Sequence, residues 1–158
     1  MTRDRRFWLF KSEPSCFSFD DLKACPDSTE HWDGVRNFQA RNLLRDEIKP
    51  GDGVLFYHSS IAEPAVVGIA EVVRGGYPDW TALDPGAEHF DHRASSDNPI
   101  WFMVDVRYVR PLKTPVTLNE MKMHSELSGM VLLKRSRLSV QPVTRQEWEH
   151  ILRLGGVH

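Results

Sequence analysis

Residues 32–37, with the sequence WDGVRN, carry the side chains best suited to bind a planar ligand. Asp33 and Gly34 form a strong turn signal, because glycine takes a positive φ without steric cost and aspartate can bond its own backbone. Beside such a turn, Trp32 can present a flat face to a ligand, while Arg36 and Asn37 supply a forked donor and an amide for a heterocycle edge. A core tryptophan followed by a capped helix is the alternative, and both interpretations are open.

A second polar group precedes Pro14. Lys11, Ser12 and Glu13 place a cation, a hydroxyl and a carboxylate in one short loop that proline restricts. These groups could bind the polar edge of a ligand. The alternative is a solvated turn in which Lys11 pairs with Glu13.

One histidine-containing segment is a candidate for metal binding. His89 and His92 have the spacing of metal ligands on a helix, but Pro85 and Gly86 favour a loop and no third ligand is evident. We therefore expect no metal and no cofactor.

His58 and Ser59 could resemble a base and a nucleophile. Adjacent residues of a strand point to opposite faces, so His58 is poorly placed to activate Ser59. The sequence has no nucleophile elbow, phosphate loop or dinucleotide fingerprint. We therefore expect a protein that is not an enzyme.

Short apolar segments and capping signals predict the elements that position these residues. Strands are expected over residues 7–10, 54–58, 66–73, 101–109 and 138–143, with 54–58 and 66–73 as an antiparallel pair and Pro142 at a sheet edge. Helices are expected after Ser18, over residues 37–48, and after the capping boxes that begin at Thr117 and Thr144. Residues 75–99 are expected to form a long loop. Together these elements indicate an α+β domain with a small, partly open β-barrel.

The composition is that of one globular domain. The chain has 158 residues, 41% of them hydrophobic, and we expect a single domain over residues 1–158 with its core at about 6–153. No apolar run is long enough to span a bilayer, and Cys16 and Cys25 are too few for a disulfide framework, so we expect a cytoplasmic protein with reduced thiols.

The net charge of −2 excludes a protein that coats nucleic acid through a general basic excess. Any such binding must use a local patch. Basic residues cluster in two places, and acidic residues dominate residues 79–97. The clusters are Arg36, Arg41, Arg45 and Lys49, and Lys134, Arg135 and Arg137.

Six segments of the chain, in order, resemble the signature of the EVE domain family. They are residues 8–14 (WLFKSEP), 32–37 (WDGVRN), 57–59 (YHS), 68–72 (GIAEV), 77–79 (YPD) and 137–143 (RLSVQPV). The resemblance implies a PUA-like fold with short peripheral helices. It also implies a relation to the YTH readers of methylated adenine, in which an aromatic cage holds the modified base. By this similarity the ligand would be a modified base, with 5-methylcytosine and its oxidised forms the usual proposal.

The same resemblance implies a set of site residues. Trp32 would be one wall of the base pocket, and Tyr77 or Trp80 the other. Other base-pocket positions are Lys11, Ser12, Glu13, Arg36, Asn37, Tyr57, His58, Ser59, Pro78, Asp79, Ser139 and Gln141. The nucleic-acid backbone would meet Arg41, Arg45, Lys134, Arg135 and Arg137.

The leading hypothesis is a non-catalytic reader of a modified base in DNA or RNA. A second hypothesis is an enzyme or RNA-processing factor that uses His58 with Asp79 or Glu13 as acid and base. A third is a sensor of a free small planar molecule. Under each of them we expect no membrane partner, and we favour a monomer.

Overall fold

The computed structural model describes residues 4–134 and 137–157 as a mixture of strands and short helices. The strands are β1 (Phe7–Ser12), β2 (Thr29–His31), β3 (Gly53–His58), β4 (Ala65–Pro78), β5 (Phe102–Thr117) and β6 (Val140–Val143). The α-helices are α1 (Phe19–Ala24), α2 (Phe38–Asp46), α3 (Leu118–Lys122), α4 (Val131–Lys134) and α5 (Arg145–Leu154). Single 3-10 turns cover Pro26–Ser28, Trp80–Leu83 and Ser125–Leu127. Within the described ranges, no helix combines the length and apolar character needed to cross a membrane.

The strands form one six-stranded sheet in the order β2-β5-β4-β3-β1-β6. The sheet does not close on itself, so the expected α+β fold with an open barrel is confirmed. β3 and β4 are antiparallel, as predicted, and β6, which contains Pro142, lies at an edge.

β1 and β3 are neighbours that run parallel. Parallel neighbours cannot be joined by a hairpin, so residues 13–52 form a crossover connection between them. This crossover carries α1, β2 and α2, and β2 pairs with β5 at the far edge of the sheet. The crossover therefore spans one face of the sheet.

Alternation along β1 divides the core in two. Phe7 and Leu9 point to one face, where α3 and α5 pack, and Trp8 and Phe10 point to the other, where α1 and α2 pack. We call these the α5 face and the α2 face. The α5 face is mainly aliphatic, with Leu55, Val66, Ile69, Val116, Met121, Leu127, Ile151 and Leu152. The α2 face is richer in aromatic rings, with Trp8, Phe10, Phe19, Trp32 and Phe56.

Local capping explains where the helices begin. Ser18 and Thr144 form complete capping boxes at α1 and α5, and the Thr117 hydroxyl accepts from the Glu120 amide at α3. The Asn37 side chain accepts from the Ala40 amide and starts α2. The predicted helix starts are confirmed.

β4 and β5 are longer than the sequence predicts. Both extend past the apolar alternation, to Pro78 and to Thr117, because they pair with each other through several register shifts. Bulges allow exposed polar residues to remain in a ladder. The prediction that a loop begins at Gly75 is therefore wrong, since residues 75–78 belong to β4.

Candidate functional site

A cleft of about 640 Å³ opens on the α2 face. Its volume is in the range of small-molecule sites. The lining residues are Lys11, Ser12, Glu13, Cys16, Phe17, Glu30, His31, Trp32, Asp33, Gly34, Val35, Arg36, Thr81, Ala87, Glu88, His89 and Ser139. Most of them come from the start of β1's crossover, from β2 and from the turn that follows β2.

Trp32 belongs both to the cleft and to the core. Only 9% of the residue is exposed, and its ring packs 5.2 Å from that of Phe10 and 5.5 Å from that of Phe56. Its backbone amide donates to the Val104 carbonyl at 2.7 Å. Trp32 is therefore both a core residue and a cleft residue, and its core contacts fix the ring that borders the cleft.

Asp79 holds the turn after Trp32 in place. Its fully buried carboxylate accepts from the Gly34 amide at 2.9 Å and from Arg36 Nη1 at 3.0 Å. It also accepts from the Thr81 amide and hydroxyl, at 2.9 and 2.5 Å. Burial acts to raise the pKa of Asp79, but the hydrogen bonds from Thr81, Gly34 and Arg36 outweigh burial and leave that pKa below its ordinary value. The cleft therefore rests on a buried, ionised carboxylate.

Gly34 is required where the turn meets residues 87–89. Its φ is +79°, and a Cβ at this position would lie 2.6 Å from Cδ2 of the His89 ring. A side chain would thus be strained by its backbone and would displace His89. The positive φ expected at Gly34 is present, although residues 32–37 form no regular turn.

Arg36 links the segment around Gly34 to His89, on another wall of the cleft. Its guanidinium donates to the His89 carbonyl at 3.1 and 2.7 Å as well as to Asp79, and its Cζ lies 5.4 Å from the centre of the Trp101 ring. Most of its donors are therefore engaged within the protein.

A further wall of the cleft lies at the end of β1, across from the segment around Gly34. Ser12 Oγ donates to the Phe17 carbonyl at 2.5 Å, and Glu13 Oε1 accepts from Ser60 Oγ at 3.2 Å. Lys11 is partly buried, and this burial lowers the pKa of its ammonium. Lys11 and Ser12 are the last two residues of β1, so the prediction that they lie in a short loop is wrong, and the loop begins at Glu13.

Acidic side chains outnumber basic ones along the cleft. The acids are Glu13, Glu30, Asp33 and Glu88, against the cations Lys11 and Arg36. Glu30 Oε1 lies 2.8 Å from His31 Nδ1. The interior is therefore better suited to a ligand edge with N–H donors than to a phosphate.

Six of the predicted base-pocket residues meet at the cleft. They are Lys11, Ser12, Glu13, Trp32, Arg36 and Ser139. Trp80 lies beside it, because its ring, 51% exposed, is 5.3 Å from the ring of His31. Asp79 supports the cleft from below without lining it.

The remaining predicted residues lie elsewhere. Tyr57 is buried in the α5-face core, and Gln141 is buried with Nε2 donating to the Leu138 carbonyl at 2.7 Å. The Tyr77 hydroxyl donates to Asp105, and burial with this contact raises the pKa of Tyr77. Asn37 caps α2, and Pro78 is exposed at the end of β4.

His58 and Ser59 also serve the fold. The Phe19 amide donates to His58 Nε2 at 3.1 Å, and burial lowers the pKa of this imidazole. The Ser59 amide donates to the Ser12 carbonyl at 3.0 Å. The acid–base roles considered for His58 and Asp79 thus fall on groups that already hold structural hydrogen bonds.

The segment with the two loop histidines is not a helix, as expected. His89 lines the cleft, and Asp91 accepts from Arg93 Nη2 and from Trp101 Nε1, each at 2.8 Å.

Several lining residues were not predicted from the sequence. Glu30 and His31 reach the cleft because β2 pairs with β5, which is a long-range contact. Asp79 signals an Asx turn, in which its side chain accepts from the Thr81 amide, but no sequence signal marks the threonine as a lining residue.

The predicted backbone-binding residues lie outside the cleft. Arg41 donates to the Ile100 carbonyl at 2.6 Å, and Arg45 is paired with Asp46 at 2.8 Å. Lys134 and Arg137 are exposed, and Arg135 lies outside the described residues.

An open mixed sheet with a polar and aromatic cleft on one face defines a small domain of the α+β class with a candidate ligand site. The chain belongs to the EVE domain family, which it matches over residues 6–154. The family expected from the signature segments is confirmed.

The chain is similar to proteins from human and from Leishmania major. The chain is 43% identical to human thymocyte nuclear protein 1 over 93% of this chain and 72% of that protein. A structure of the human protein in complex with DNA containing 5-methylcytosine superposes with a TM-score of 0.91 at 41% identity, covering 97% of this chain and 99% of the other. A hypothetical protein from Leishmania major has a TM-score of 0.91 at 50% identity, covering 97% and 96%.

A YTH domain of Zygosaccharomyces rouxii, solved with N6-methyladenosine RNA, has a TM-score of 0.55 at 17% identity, covering 98% of this chain and 86% of that one. This similarity concerns the fold alone.

Proposed function

We propose that this protein binds DNA that contains 5-methylcytosine or an oxidised form of it, and that the modified base enters the cleft beside Trp32. The observation that carries the proposal is a cleft of about 640 Å³ bordered by a tryptophan that the core holds in place. The human relative, 41% identical, has been solved in complex with DNA of this kind.

The charges of the cleft fit a cytosine. Its exocyclic amino group is a donor, and Glu30 and Asp33 offer acceptors nearby. The Lys11 ammonium on the other wall can donate to the carbonyl or the ring nitrogen of the base. Phosphates would stay outside, away from the four carboxylates.

The energetics constrain the substrate. Taking a base out of a duplex costs a few kcal/mol, while stacking on an aromatic ring returns roughly 1–3 kcal/mol. Hydrogen bonds in the cleft must therefore supply the difference, or the strand must already be unpaired. Burying one methyl contributes about 0.8 kcal/mol, which is roughly a fourfold preference. A hydroxymethyl group that meets a partner in the cleft would be preferred more strongly.

A surface beside the cleft can contact the DNA strand next to the modified base. Phe38 is 51% exposed and is stacked on Trp101 at 4.8 Å, with the Arg41 guanidinium 5.0 Å from its ring. An exposed ring backed by a second ring suits the base next to the modified one. Arg41 would then contact the adjoining phosphate.

The test compares two tryptophans changed in the same way. Trp32→Phe replaces the indole at the cleft with a smaller ring. Trp148→Phe makes the same change on the α5 face, where the ring centres of Trp148 and Phe7 are 4.5 Å apart. Binding would be measured by fluorescence anisotropy to labelled single- and double-stranded DNA and RNA with methylated, hydroxymethylated or unmodified cytosine, and with methylated adenine. We expect Trp32→Phe to lose the preference for the mark and Trp148→Phe to keep it.

Loss of preference in both variants, or in neither, would contradict the role of Trp32. Free 5-methylcytidine provides a further arm, because binding through phosphates weakens steeply with salt and binding of a neutral nucleoside does not. Equal, salt-independent affinity for the nucleoside and the DNA would favour a small-molecule sensor instead. We also propose a cytoplasmic location, which the free thiols of Cys16 and Cys25 support, and a monomeric state.

A further inference from the structure

Three side chains with metal-binding atoms meet on the α5 face, away from the cleft. They are His124, after α3, Glu126, in the 3-10 turn, and His150, on α5. One nitrogen or oxygen of each lies within 4.8 Å of those of the other two. These residues are 26 positions apart at most, and no sequence motif marks them.

The spacing of the two imidazoles is that of ligands on one metal ion. His150 Nε2 lies 3.2 Å from His124 Nδ1. Two nitrogens bonded to a tetrahedral zinc at about 2.0–2.1 Å are about 3.3–3.4 Å apart, so a metal between them would require little movement. Glu126 Oε2 lies 3.9 Å from His150 Nδ1, at the side of the same ring.

The fold holds the two histidines and leaves the carboxylate adjustable. The His150 side chain is 12% exposed on a ten-residue helix that a capping box fixes. The His124 carbonyl accepts from the Leu127 amide at 3.0 Å. The Glu126 side chain is 62% exposed and can rotate toward the pair. A glutamate carboxylate is an anionic oxygen ligand at neutral pH.

We propose that His124 Nδ1, His150 Nε2 and the Glu126 carboxylate bind a zinc ion, with water as the fourth ligand. Two imidazoles and one carboxylate are a known ligand set for zinc with one open position. The ion would tie α5 to the segment that follows α3. It would act on the stability of the α5 face and leave the cleft on the opposite face unchanged.

Arg153 opposes this site and gives it a directional test. Its Nη2 lies 3.3 Å from His150 Nδ1, so without a metal the ring accepts from Arg153 and donates through Nε2 to His124. When Nε2 binds a metal, Nδ1 carries the proton and Arg153 must move away. Removing this positive charge should therefore tighten zinc binding.

The experiment is a zinc titration of the full chain against a chromophoric chelator, with Cys16 and Cys25 replaced by serine to remove thiol ligands. We expect one zinc ion per chain at micromolar affinity or tighter. His124→Gln and His150→Gln should each weaken binding at least about tenfold, and Arg153→Gln should strengthen it. The control is His92→Gln, an exposed histidine outside the triad, which should leave the affinity unchanged.

Zinc should also raise the unfolding temperature of the parent protein and not that of His124→Gln, since a ligand that binds only the folded state stabilises it. Absence of binding at micromolar zinc would overturn the proposal. So would an affinity that His124→Gln leaves unchanged or that Arg153→Gln weakens. Each of these outcomes is independent of DNA binding.

Discussion

The two faces of the sheet use the same strands in different ways. The α5 face is closed by aliphatic side chains under α3 and α5, such as Leu9, Leu55 and Ile151. The α2 face packs large rings at steep angles, with Trp32 tilted 52° to Phe10 and 88° to Phe56. Rings packed edge to face leave part of a ring at the surface without opening the core. The cleft lies at such a place.

The two faces also differ in their buried charges. Asp79 supports the cleft, and Asp52 accepts from Trp8 Nε1 at 2.9 Å and from the amides of Arg6 and Lys49 at 3.1 Å. Both carboxylates are fully buried and serve the α2 face. The α5 face depends mainly on apolar burial, so acid and salt should act on the two faces unequally.

The largest expected effect separates neighbours on β1. Phe10→Ala should cost about 3–5 kcal/mol of unfolding free energy and also weaken DNA binding, because the ring supports Trp32. Leu9→Ala should cost about 2–5 kcal/mol and leave the affinity of the folded protein unchanged. Urea unfolding and anisotropy would be measured on both. Equal loss of affinity would show that the faces are not independent.

Asp79→Asn should have an intermediate effect. It keeps the shape of the side chain but removes the charge that Arg36 pairs with, at a cost of about 1.5–3 kcal/mol. Affinity for DNA should fall as the turn at Gly34 loosens. The measurement is chemical denaturation together with binding at a temperature where the variant is folded, and an unchanged affinity would contradict the supporting role of Asp79.

The same carboxylate predicts a pH dependence. The pKa of Asp79 is lower in the folded chain than in the unfolded one, so its contribution to stability is complete above the unfolded value of about 3.9 and disappears as pH falls through the folded value. Unfolding free energy of the parent should therefore approach that of Asp79→Asn below about pH 4. A difference between the two proteins that stays constant from pH 7 to pH 3 would refute this origin.

The smallest expected effect distinguishes two arginines of α2. Arg41→Gln should lower the salt dependence of DNA binding by about one unit in the slope of log affinity against log salt concentration. Arg45→Gln should change it less, because Asp46 already offsets that charge at 2.8 Å. A titration from low to moderate salt measures both slopes. The reverse order would place the strand on the other side of α2.

Local signals explain what the sequence predicted well. The capped helices after Ser18 and Thr144 and the positive φ of Gly34 depend on neighbours in the chain, and all three are present. Pairing between distant strands explains what it missed. Glu30 and His31 reach the cleft through β5, and the later part of β4 stays in the sheet through bulges.

Strand alternation also explains why Tyr57 lies away from the cleft. Tyr57 follows Phe56 on β3, so it points to the α5 face while Phe56 points to the α2 face. Family resemblance places such residues near a site without saying which side of the sheet they occupy. The sequence alone could not reveal that Asp79 supports the cleft, because its hydrogen-bond partner Gly34 is 45 residues away.

The crossover from β1 to β3 begins and ends on adjacent strands, and it contains Trp32, Gly34 and the acid Glu30 of β2. Its ends are fixed on neighbouring strands and its middle is fixed by the pairing of β2 with β5, so only the segments between these points can change in length without altering the strand order. Residues 13–52, transferred together with Asp79 and Thr81, would carry base preference from one scaffold to another.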